Sequence, residues 1–449
     1  MQRIQIKNFA AIDNLELELN NKLDIIIGAQ ASGKSTLSKT VYFCRKVRDY
    51  LLDYLTNPDN FNAVHPNEYY SYFLKHIRKQ FMGCFGTTKH MPPFTIEFYY
   101  DYDVQNLGKK KLSLQLDKSG YVKIFFSKDI ANRIKQLIDE ASDLFRKSIT
   151  ATEEKILENL INDLKMRQVV RKHFSAAVQE LFLDYQEILY IPAGRSILST
   201  LSEQLHDLDV SIMDLPLQEF IEIIQVTKKR FGTKIPEIIS NYTKTVDGQI
   251  RNADVNMAYA LVRKILRGDY VNETDGEKLY YSEKQWVKLM YASSGQQEVL
   301  WILLLIFIRI LESRRVFLVV EEPEAHLFTS AQKEVLELIA LLINSTGSQV
   351  VITTHSPYIL TATNLLAYSG KVENNAKNLA EDVIIPRQTR VDPYTMQAYL
   401  ISNQSGFSFK SIKDSTEQLI DPSYIDEVST LINETTDRIM DLEIKYGMQ

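Results

Sequence analysis

The stretch that decides the fold is Gly28-Ala29-Gln30-Ala31-Ser32-Gly33-Lys34-Ser35, which fits the phosphate-binding P-loop pattern G-x-x-x-x-G-K-S. The apolar run 23–27 before it has no helical period and predicts a buried parallel strand. A helix is predicted from Ser35 to about Asp53. Glycines let backbone N–H groups turn toward a phosphate, and the helix N-terminus adds positive potential. We therefore predict that Lys34 reaches the β- and γ-phosphates of a nucleotide and that the Ser35 hydroxyl ligates Mg²⁺.

A second predicted strand, 316–320, ends in two adjacent carboxylates, Glu321 and Glu322. We expect them at the carboxyl edge of the sheet, where α/β proteins bind ligands. Glu321 is assigned to Mg²⁺, and Glu322 to orienting or deprotonating the attacking water. The alternative is an acidic helix start, which accounts for Glu324 better than for the adjacent pair.

A histidine follows a third predicted strand, 350–354. His355 lies just past the end of this strand, 33 residues after Glu322. A histidine at that edge is expected to hydrogen-bond the γ-phosphate. A lone histidine without this context is more often structural.

A serine-glycine segment, Ser293-Ser294-Gly295-Gln296, directly precedes an apolar helix predicted over 298–310. A serine before a glycine at a helix N-terminus is a candidate anion site. The segment is 260 residues from Lys34, too far in sequence to be part of the P-loop itself. Residues 291–298 resemble the signature segment of ATP-binding-cassette (ABC) ATPases, which closes over ATP held by the other subunit. The resemblance implies two sites built across a dimer.

Further segments resemble one class of ATPases. Residues 3–9 together with 23–36 are similar to the opening of RecF, SMC and Rad50 proteins. Residues 321–327 and 353–357 resemble the overcoming-lysogenization-defect (OLD-like) branch, as does the segment 190–196. This last segment makes Arg195 a candidate for a nucleotide or interface contact, with a structural salt bridge as the alternative.

The resemblance implies an α/β fold: a P-loop NTPase of ABC-ATPase type with an antiparallel β-lobe and helical insertions. It implies ATP and Mg²⁺ as ligands. The predicted nucleotide-binding residues are Gly28, Gln30, Ser32, Gly33, Lys34, Ser35, Thr36, Ser293, Ser294, Gly295 and Gln296.

Two positions depart from the class. Ala29-Gln30-Ala31 stands where the class usually has Pro-Asn-Gly, so Gln30 is expected to replace an asparagine near the γ-phosphate. Glu321 stands where many cassette ATPases have aspartate. Both departures are compatible with slow hydrolysis of ATP.

The chain of 449 residues is long enough for several domains, and 45% apolar with 24% charged residues is a globular composition. Alternation over 94–126 predicts an antiparallel meander with turns at Gly108 and Gly120. The predicted division is an N-terminal ATPase lobe (1–127), a helical insertion forming a short arm (128–187), a core segment with a second helical region (188–280), a C-terminal ATPase lobe (281–369) and a helical tail (370–449).

The cysteines and the apolar runs of the sequence predict where in the cell the protein is located. Two cysteines, Cys44 and Cys84, form no disulfide framework, which favours the cytosol. No N-terminal signal is visible. The longest apolar run, 301–308, is shorter than the about 20 residues that span a bilayer, so we expect a buried core helix and no membrane contact.

Two candidate functions remain, an ATPase that switches a separate effector and an ATPase that acts directly on DNA. The net charge of −5 gives no global attraction to DNA, and the basic clusters 109–111 and 165–172 are by default solvated surface. No strand ending in Glu-Gly with a following Asp-x-Asp marks a Toprim nuclease at the C-terminal end, where 425–442 instead has helical spacing. We expect a homodimer or higher homo-oligomer that switches a separate effector, a nuclease or a toxin, as in bacterial anti-phage defence. The alternative is a RecF- or Rad50-type ATPase acting directly on DNA. A transporter subunit is disfavoured because such subunits are about half as long.

Overall fold

The computed structural model describes residues 2–62, 65–102, 110–118, 120–149, 156–196, 198, 209–245, 252–375, 385–403, 406–424 and 438–439. The strands are β1 (Arg3–Phe9), β2 (Ile12–Glu18), β3 (Leu23–Gly28), β4 (Thr95–Tyr99), β5 (Lys111–Leu116), β6 (Val122–Phe126), β7 (Glu187–Ile191), β8 (Asp269–Glu273), β9 (Gly276–Tyr280), β10 (Trp286–Lys288), β11 (Val316–Glu321), β12 (Gln349–Thr354), β13 (Met396–Ser402) and β14 (Ser408–Ser411). The helices are α1 (Lys34–Thr56), α2 (Asp59–Asn62), α3 (Tyr69–Phe85), α4 (Lys128–Ile149), α5 (Ile156–Phe182), α6 (Leu215–Lys228), α7 (Ile235–Thr245), α8 (Asn252–Leu266), α9 (Ser294–Leu311), α10 (Thr329–Thr346) and α11 (Pro357–Asn375).

The central sheet has six strands in the order β14-β13-β3-β12-β11-β7. All neighbours pair in parallel except β13 and β14, which are antiparallel. β11 is buried along its whole length because helices cover both faces of the sheet. The three strands predicted at 23–27, 316–320 and 350–354 are confirmed, each one residue longer than predicted. Their carboxyl ends therefore meet at one edge.

A second sheet of five antiparallel strands has the order β2-β1-β4-β5-β6. The predicted meander supplies β4, β5 and β6, and the N-terminal hairpin β1–β2 completes the sheet through the β1–β4 pairing. Alternate residues such as Ile4 and Ile6 are fully buried, so one face of this sheet lies on the core. The predicted turn at Gly108 lies outside the described residues.

The helical insertion predicted over 128–187 is confirmed as the two helices α4 and α5. Ile134 and Leu137 of α4 are fully buried, and Phe174 and Val178 of α5 are almost so, in the core cluster of the β-lobe and α1. The apolar spacing in these parts of the helices therefore reflects packing against α1 and α3. The prediction of a short arm concerns the far ends of the two helices and their connection, and residues 150–155 lie outside the described residues.

A 17-residue helix, α3, lies within the segment 59–92, between the P-loop helix and the predicted meander. Its apolar side chains recur at helical spacing, with Phe73, Ile77 and Phe81 fully buried. The many aromatic residues obscured this period because they also occur on the exposed side, as at Tyr72.

The prediction of a helical tail over 370–449 is wrong for its described residues, which include the strands β13 and β14. β13 is an interior strand of the central sheet and pairs in parallel with β3. Its parallel partner β3 lies 373 residues earlier in the chain, since Met396 pairs with Leu23. The seven residues of β13 itself, with polar Gln397 and Ser402, carry a weak strand signal. Most of the stretch 425–442 lies outside the described residues.

One helix in the described part of the chain, α9, is long and apolar enough to cross a membrane by length and composition. The helix has 18 residues, more than the eight-residue run suggested, so the length argument against a span was wrong. It packs against α8 and α10, and 83% of it is buried inside the protein. Burial in the core therefore accounts for its apolar composition.

Replacing a buried carboxylate in β3 should stabilise the fold in a pH-dependent way. Asp24 is buried, and burial raises its pKa from 3.8 to about 7 although a hydrogen bond from Asn21 lowers it. The folded chain then holds the proton more tightly than the unfolded chain, so stability is lost as pH rises from 3.8 to about 7. Asp24→Asn should therefore raise the free energy of unfolding by on the order of 2–4 kcal/mol at pH 8 and by much less at pH 5.

Urea unfolding at the two pH values measures this difference. Asp13→Asn, at an exposed position of β2, is the control and should change stability little at either pH. Equal gains for Asp24→Asn at pH 5 and pH 8 would contradict the interpretation.

Candidate functional site

The P-loop connects the end of β3 to the start of α1, and its glycines are required by the geometry. A Cβ on Gly28 would lie 2.2 Å from the carbonyl oxygen of Ile401 in β13. Gly33 has φ of 103°, which side-chain-bearing residues rarely adopt. The loop is thus held tightly between β13 and α1, with the unpaired N–H groups of the first helical turn directed toward it.

The polar groups of the loop fit a phosphate. Lys34 Nζ donates to the carbonyl oxygens of Gly28 and Ala29, at 2.8 Å each. The Ser32 hydroxyl is buried and has no hydrogen-bond partner among the described residues. Burial lowers the pKa of Lys34, and Glu322, Glu324 and Glu321 oppose that shift. A lysine, a buried free hydroxyl and a helix N-terminus form the donor set that an anionic phosphate requires.

The other predicted P-loop residues are also in place. Ser35 is exposed in the first turn of α1, Thr36 beside it is half-buried, and Gln30 is exposed in the loop. All three therefore lie at the same edge of the sheet as Lys34.

Glu321, the last residue of β11, is 4% exposed. Its Oε1 accepts a hydrogen bond of 2.7 Å from the Ser38 hydroxyl, one helical turn after Ser35. Within the described residues, no group of three or more His, Cys, Asp or Glu side chains is arranged to hold a metal ion. Ser35 and Glu321 are the residues that could contribute to Mg²⁺ binding here, together with phosphate oxygens and water.

Glu322 differs from its neighbour in exposure and in backbone conformation. Its side chain is 36% exposed. Its φ of 44° lies in the left-handed region, which is uncommon for a glutamate. Its N–H donates to the carbonyl oxygen of Thr353 at 2.8 Å. The strained backbone turns this carboxylate out of the strand and toward water, as a residue that acts on water requires.

His355 lies between Glu322 and Lys34. Its Nε2 is 3.1 Å from Glu322 Oε1, and its Nδ1 is 3.4 Å from Lys34 Nζ. An ammonium can only donate, so Nδ1 accepts from Lys34, and Nε2 is the ring nitrogen that lies beside the Glu322 carboxylate. The three predicted side chains therefore lie next to one another in one row.

Glu324 holds the start of this row in place. Its Oε1 accepts from the Thr354 hydroxyl at 2.5 Å and from the backbone N–H of His355 at 2.8 Å. The acidic-helix interpretation of Glu324 is wrong because the residues that follow β11 form turns and α10 begins only at Thr329. Glu324 instead connects the end of β11 to the end of β12.

The signature segment begins α9 four residues earlier than predicted. The Ser293 hydroxyl accepts the backbone N–H of Gln296, and Gln296 Oε1 accepts the backbone N–H of Ser293, so the two residues form a capping box. Ser293 and Ser294 are exposed. A Cβ on Gly295 would lie 2.7 Å from the carbonyl oxygen of His326, so the helix start contacts the turn after β11 closely.

None of the contacts that the described residues of this segment make involves the P-loop of the same chain. The segment borders a cavity of about 400 Å³. The described lining residues all come from 264–267, 293–296 and 326–334, and they include Lys264, Arg267 and the exposed Phe328. Each chain therefore presents a P-loop at one place and a signature segment at another.

Arg195 does not contact solvent. The residue is 1% exposed and its guanidinium donates to backbone carbonyl oxygens of Pro192, Glu321 and Glu322. It is paired with Glu298 of α9. The prediction of a nucleotide or interface contact is wrong, and the alternative of a structural salt bridge is the one the structure supports.

Several residues of the site were missed in the sequence. Ser38 and Glu298 lie within helices. The signal for Ser38 is that it follows Ser35 by three residues, and the signal for Glu298 is that it follows Gly295 by three residues. Ile401 and Asn403 come from the end of β13, and Asn403 Nδ2 donates to the carbonyl oxygens of Ala11 and Ala31. No local signal connects β13 with the P-loop, because that contact is made only by the sheet.

Removing the imidazole between Lys34 and Glu322 should lower turnover. His355→Gln keeps a polar side chain but cannot bond to both neighbours as the ring does. We expect kcat for ATP hydrolysis to fall about 10- to 100-fold, with the dissociation constant for nucleotide changed less than about threefold. Steady-state hydrolysis and calorimetric titration measure the two quantities. His173→Gln, at an exposed position of α5, is the control, and a wild-type kcat in His355→Gln would contradict this role.

Comparison with known proteins gives a family and a set of distant structural neighbours. Residues 1–360 match the AAA ATPase domain family (AAA_15). No curated protein matches the chain. Three SMC head structures are similar at low identity. A structure titled "Crystal structure of the SmcHead bound to the C-winged helix domain of ScpA" has 12% identity and a TM-score of 0.42, with 92% of this chain and 98% of that chain covered.

The SMC head domain from Thermotoga maritima has 11% identity and a TM-score of 0.36, with 92% of this chain and 98% of that chain covered. The third is an Smc head domain with an extended coiled coil, bound to the C-terminal domain of ScpA derived from Pyrococcus furiosus. It has 13% identity, a TM-score of 0.38, and 97% and 100% coverage. These TM-scores are too low to carry an argument about function. The family match spans the P-loop, β11 and His355, and the chain therefore belongs to the AAA ATPase domain family, with the fold of a P-loop ATPase of the ABC type.

Proposed function

We propose that this chain hydrolyses ATP in two sites shared between two copies, and that nucleotide-driven association of the copies switches a separate effector. The observation that carries the proposal is that the signature segment borders a cavity whose described lining includes no P-loop residue of the same chain. A helix N-terminus with exposed serines and a loop with a buried lysine are both suited to phosphate. In a head-to-tail pair, the P-loop of each copy would face the signature segment of the other copy, which gives two sites.

The residues of one chain suit the hydrolytic step. The carboxylate of Glu322 is the base that takes a proton from water, because it is the exposed one of the adjacent pair. His355, donating from Nε2, orients that carboxylate. Lys34 supplies positive charge where negative charge develops. Mg²⁺, when bound, offsets the charge of the phosphate oxygens. Glu321 is buried against Ser38 and keeps its position during the step.

A mixing experiment tests the shared site. Lys34→Ala removes the P-loop lysine, and Ser294→Arg blocks the exposed start of α9 without disturbing the core. Neither variant alone has a complete site. In an equimolar mixture, half of the pairs contain one of each, and such a pair has one complete site. Mixing should therefore restore roughly a quarter of the wild-type hydrolysis rate.

Mixing Lys34→Ala with the double variant Lys34→Ala, Ser294→Arg is the control, since no combination there has a functional P-loop. An inactive mixture of the two single variants would contradict the shared site, and so would full activity in Ser294→Arg alone.

The effector and the setting are proposed from the family resemblance. The OLD-like segments and the absence of a Toprim motif from the sequence favour a separate nuclease or toxin, acting in the cytosol in anti-phage defence. Cys44 and Cys84 are buried and free, which is compatible with a reducing compartment. Effector activity of the chain with its natural partner should depend on Lys34. Equal activity with and without that lysine would contradict the switch.

Direct action on DNA is the competing function. Lys111 and Arg171, one from each basic cluster, are paired with Glu97 and Asp53. These pairs leave less free positive charge for phosphates. Binding of DNA that requires ATP and weakens steeply with salt would favour the competing function.

A further inference from the structure

Behind the row of Lys34, His355 and Glu322 lies a second connection, which leads from Glu322 to the start of α9. We propose that Arg195 is a positioning residue that holds the backbone of Glu322 and couples its placement to the signature segment. The inference rests on the proposed function, because it assigns a role in the hydrolytic step that Glu322 performs there.

The guanidinium of Arg195 fixes both peptide groups that flank the Cα atom of Glu322. Nη1 donates to the carbonyl oxygen of Glu321 at 2.6 Å, and Nη2 donates to the carbonyl oxygen of Glu322 at 2.9 Å. Together with the Glu322 N–H bonded to Thr353, these contacts determine the orientation of the peptide planes on either side of this residue. They hold a non-glycine residue at φ of 44°, a conformation that persists only where the surroundings over-determine it.

The opposite side of Arg195 is attached to α9. Nε donates to the carbonyl oxygen of Glu298 at 2.9 Å. The carboxylate of Glu298 accepts the backbone N–H groups of Arg195 and Ser196, at 3.0 Å each. Glu298 is 2% exposed and lies one turn after Ser294, where the helix begins. The side chain and the backbone of Arg195 are thus both bound to the first turns of the signature helix.

This arrangement gives a physical route from one site to the other. If contact with another copy displaces the start of α9, Glu298 moves with it. The Arg195 guanidinium, which is bound to Glu298 and holds the backbone of Glu322, then moves as well. The planar guanidinium transmits such a displacement because its donors have a fixed relative geometry. A lysine carries the same charge but cannot hold these carbonyl groups in a fork.

The experiment compares Arg195→Lys with a matched control on the same helix. Arg309 is also largely buried and forms two hydrogen bonds to Glu187, at the other end of α9 and away from Glu321 and Glu322. Both variants weaken a buried arginine contact of α9. For Arg195→Lys we expect kcat to fall about 30-fold, while KM for ATP and the dissociation constant for ADP with Mg²⁺ stay within about threefold. For Arg309→Lys we expect kcat within about twofold of wild type at a similar loss of thermal stability.

Two results would overturn the proposal: a kcat in Arg195→Lys within threefold of wild type, or equal losses in both variants. The second result would mean that Arg195 acts only on stability. If Arg195→Lys does not fold, Glu298→Gln decides the question. That variant keeps the arginine, weakens its attachment to α9, and should lower kcat about 10-fold with nucleotide affinity retained.

The same measurements separate this inference from the proposed function. Hydrolysis by the wild type with loss of hydrolysis in Glu322→Gln supports the proposed function whatever Arg195→Lys does. A wild type that does not hydrolyse ATP would overturn both.

Discussion

Glu322→Gln is expected to bind ATP normally and to hydrolyse it about 100- to 1000-fold more slowly than the wild type. The substitution keeps the size of the side chain and its contact with His355 but removes the group that can take a proton from water. Glu322 makes its backbone bonds through N–H and C=O, which the substitution leaves unchanged. The loss should therefore appear in kcat and not in nucleotide affinity.

The same variant should make association visible. If hydrolysis releases the two copies, a chain that binds but does not hydrolyse ATP accumulates in the associated state. Light scattering with ATP and Mg²⁺ should show a doubled mass, or a larger assembly, for Glu322→Gln at concentrations where the wild type returns to its starting mass. ADP should not produce this change.

Glu337→Gln serves as the control for these measurements. Glu337 lies on α10, is largely buried, and is paired with Lys333 away from the site. It should leave kcat and mass as in the wild type. Normal hydrolysis in Glu322→Gln would show that another group acts on the water, and unchanged mass would make the oligomer independent of nucleotide.

Lys34→Ala is the second substitution with a large expected effect. Its ammonium is the charged group of the P-loop, and charge-assisted hydrogen bonds to phosphate are among the stronger contacts in proteins. Removing it should weaken nucleotide binding at least about 100-fold, which corresponds to about 3 kcal/mol. Hydrolysis and nucleotide-driven association should be lost together, in contrast to Glu322→Gln, which should lose only hydrolysis. Calorimetric titration with ATP in the presence of Mg²⁺ measures the affinity.

Lys39→Ala is the matched control because it removes a lysine five residues later on α1, where the side chain pairs with Asp214. It should change stability slightly and leave nucleotide affinity unchanged. A Lys34→Ala chain that binds ATP within about tenfold of the wild type would contradict the P-loop assignment.

Much of the site could be predicted because its signals are local. The P-loop needs glycines where a Cβ would collide at Gly28 and where φ is positive at Gly33, so its pattern survives in one short stretch. The carboxylates and the histidine follow apolar strands. Parallel strands bring such ends together at one edge of a sheet. These two rules place Lys34, Glu322 and His355 at the same edge of the sheet, but they do not give the order of the three side chains there.

Other parts could not be predicted, because their partners are far away in sequence. Arg195 resembles any arginine near a strand end until the fold places it against Glu321, Glu322 and Glu298. β13 forms a strand because its backbone pairs in parallel with β3, although its own residues give only a weak strand signal. α4 and α5 have the spacing of free helices, and their burial against α1 became visible only in the packed core.

The sequence by itself thus determined which residues make up the candidate site, since a phosphate loop, a carboxylate pair and a capped helix start each need particular residues at short, fixed spacing. The tertiary structure alone decided how these parts act on one another. It placed the signature segment beside a cavity that no described P-loop residue lines, set His355 between Lys34 and Glu322, and joined α9 to Glu322 through Arg195. The physical reason is that hydrogen bonds and burial between distant segments depend on the packed arrangement of the whole sheet, which no short stretch of the chain encodes.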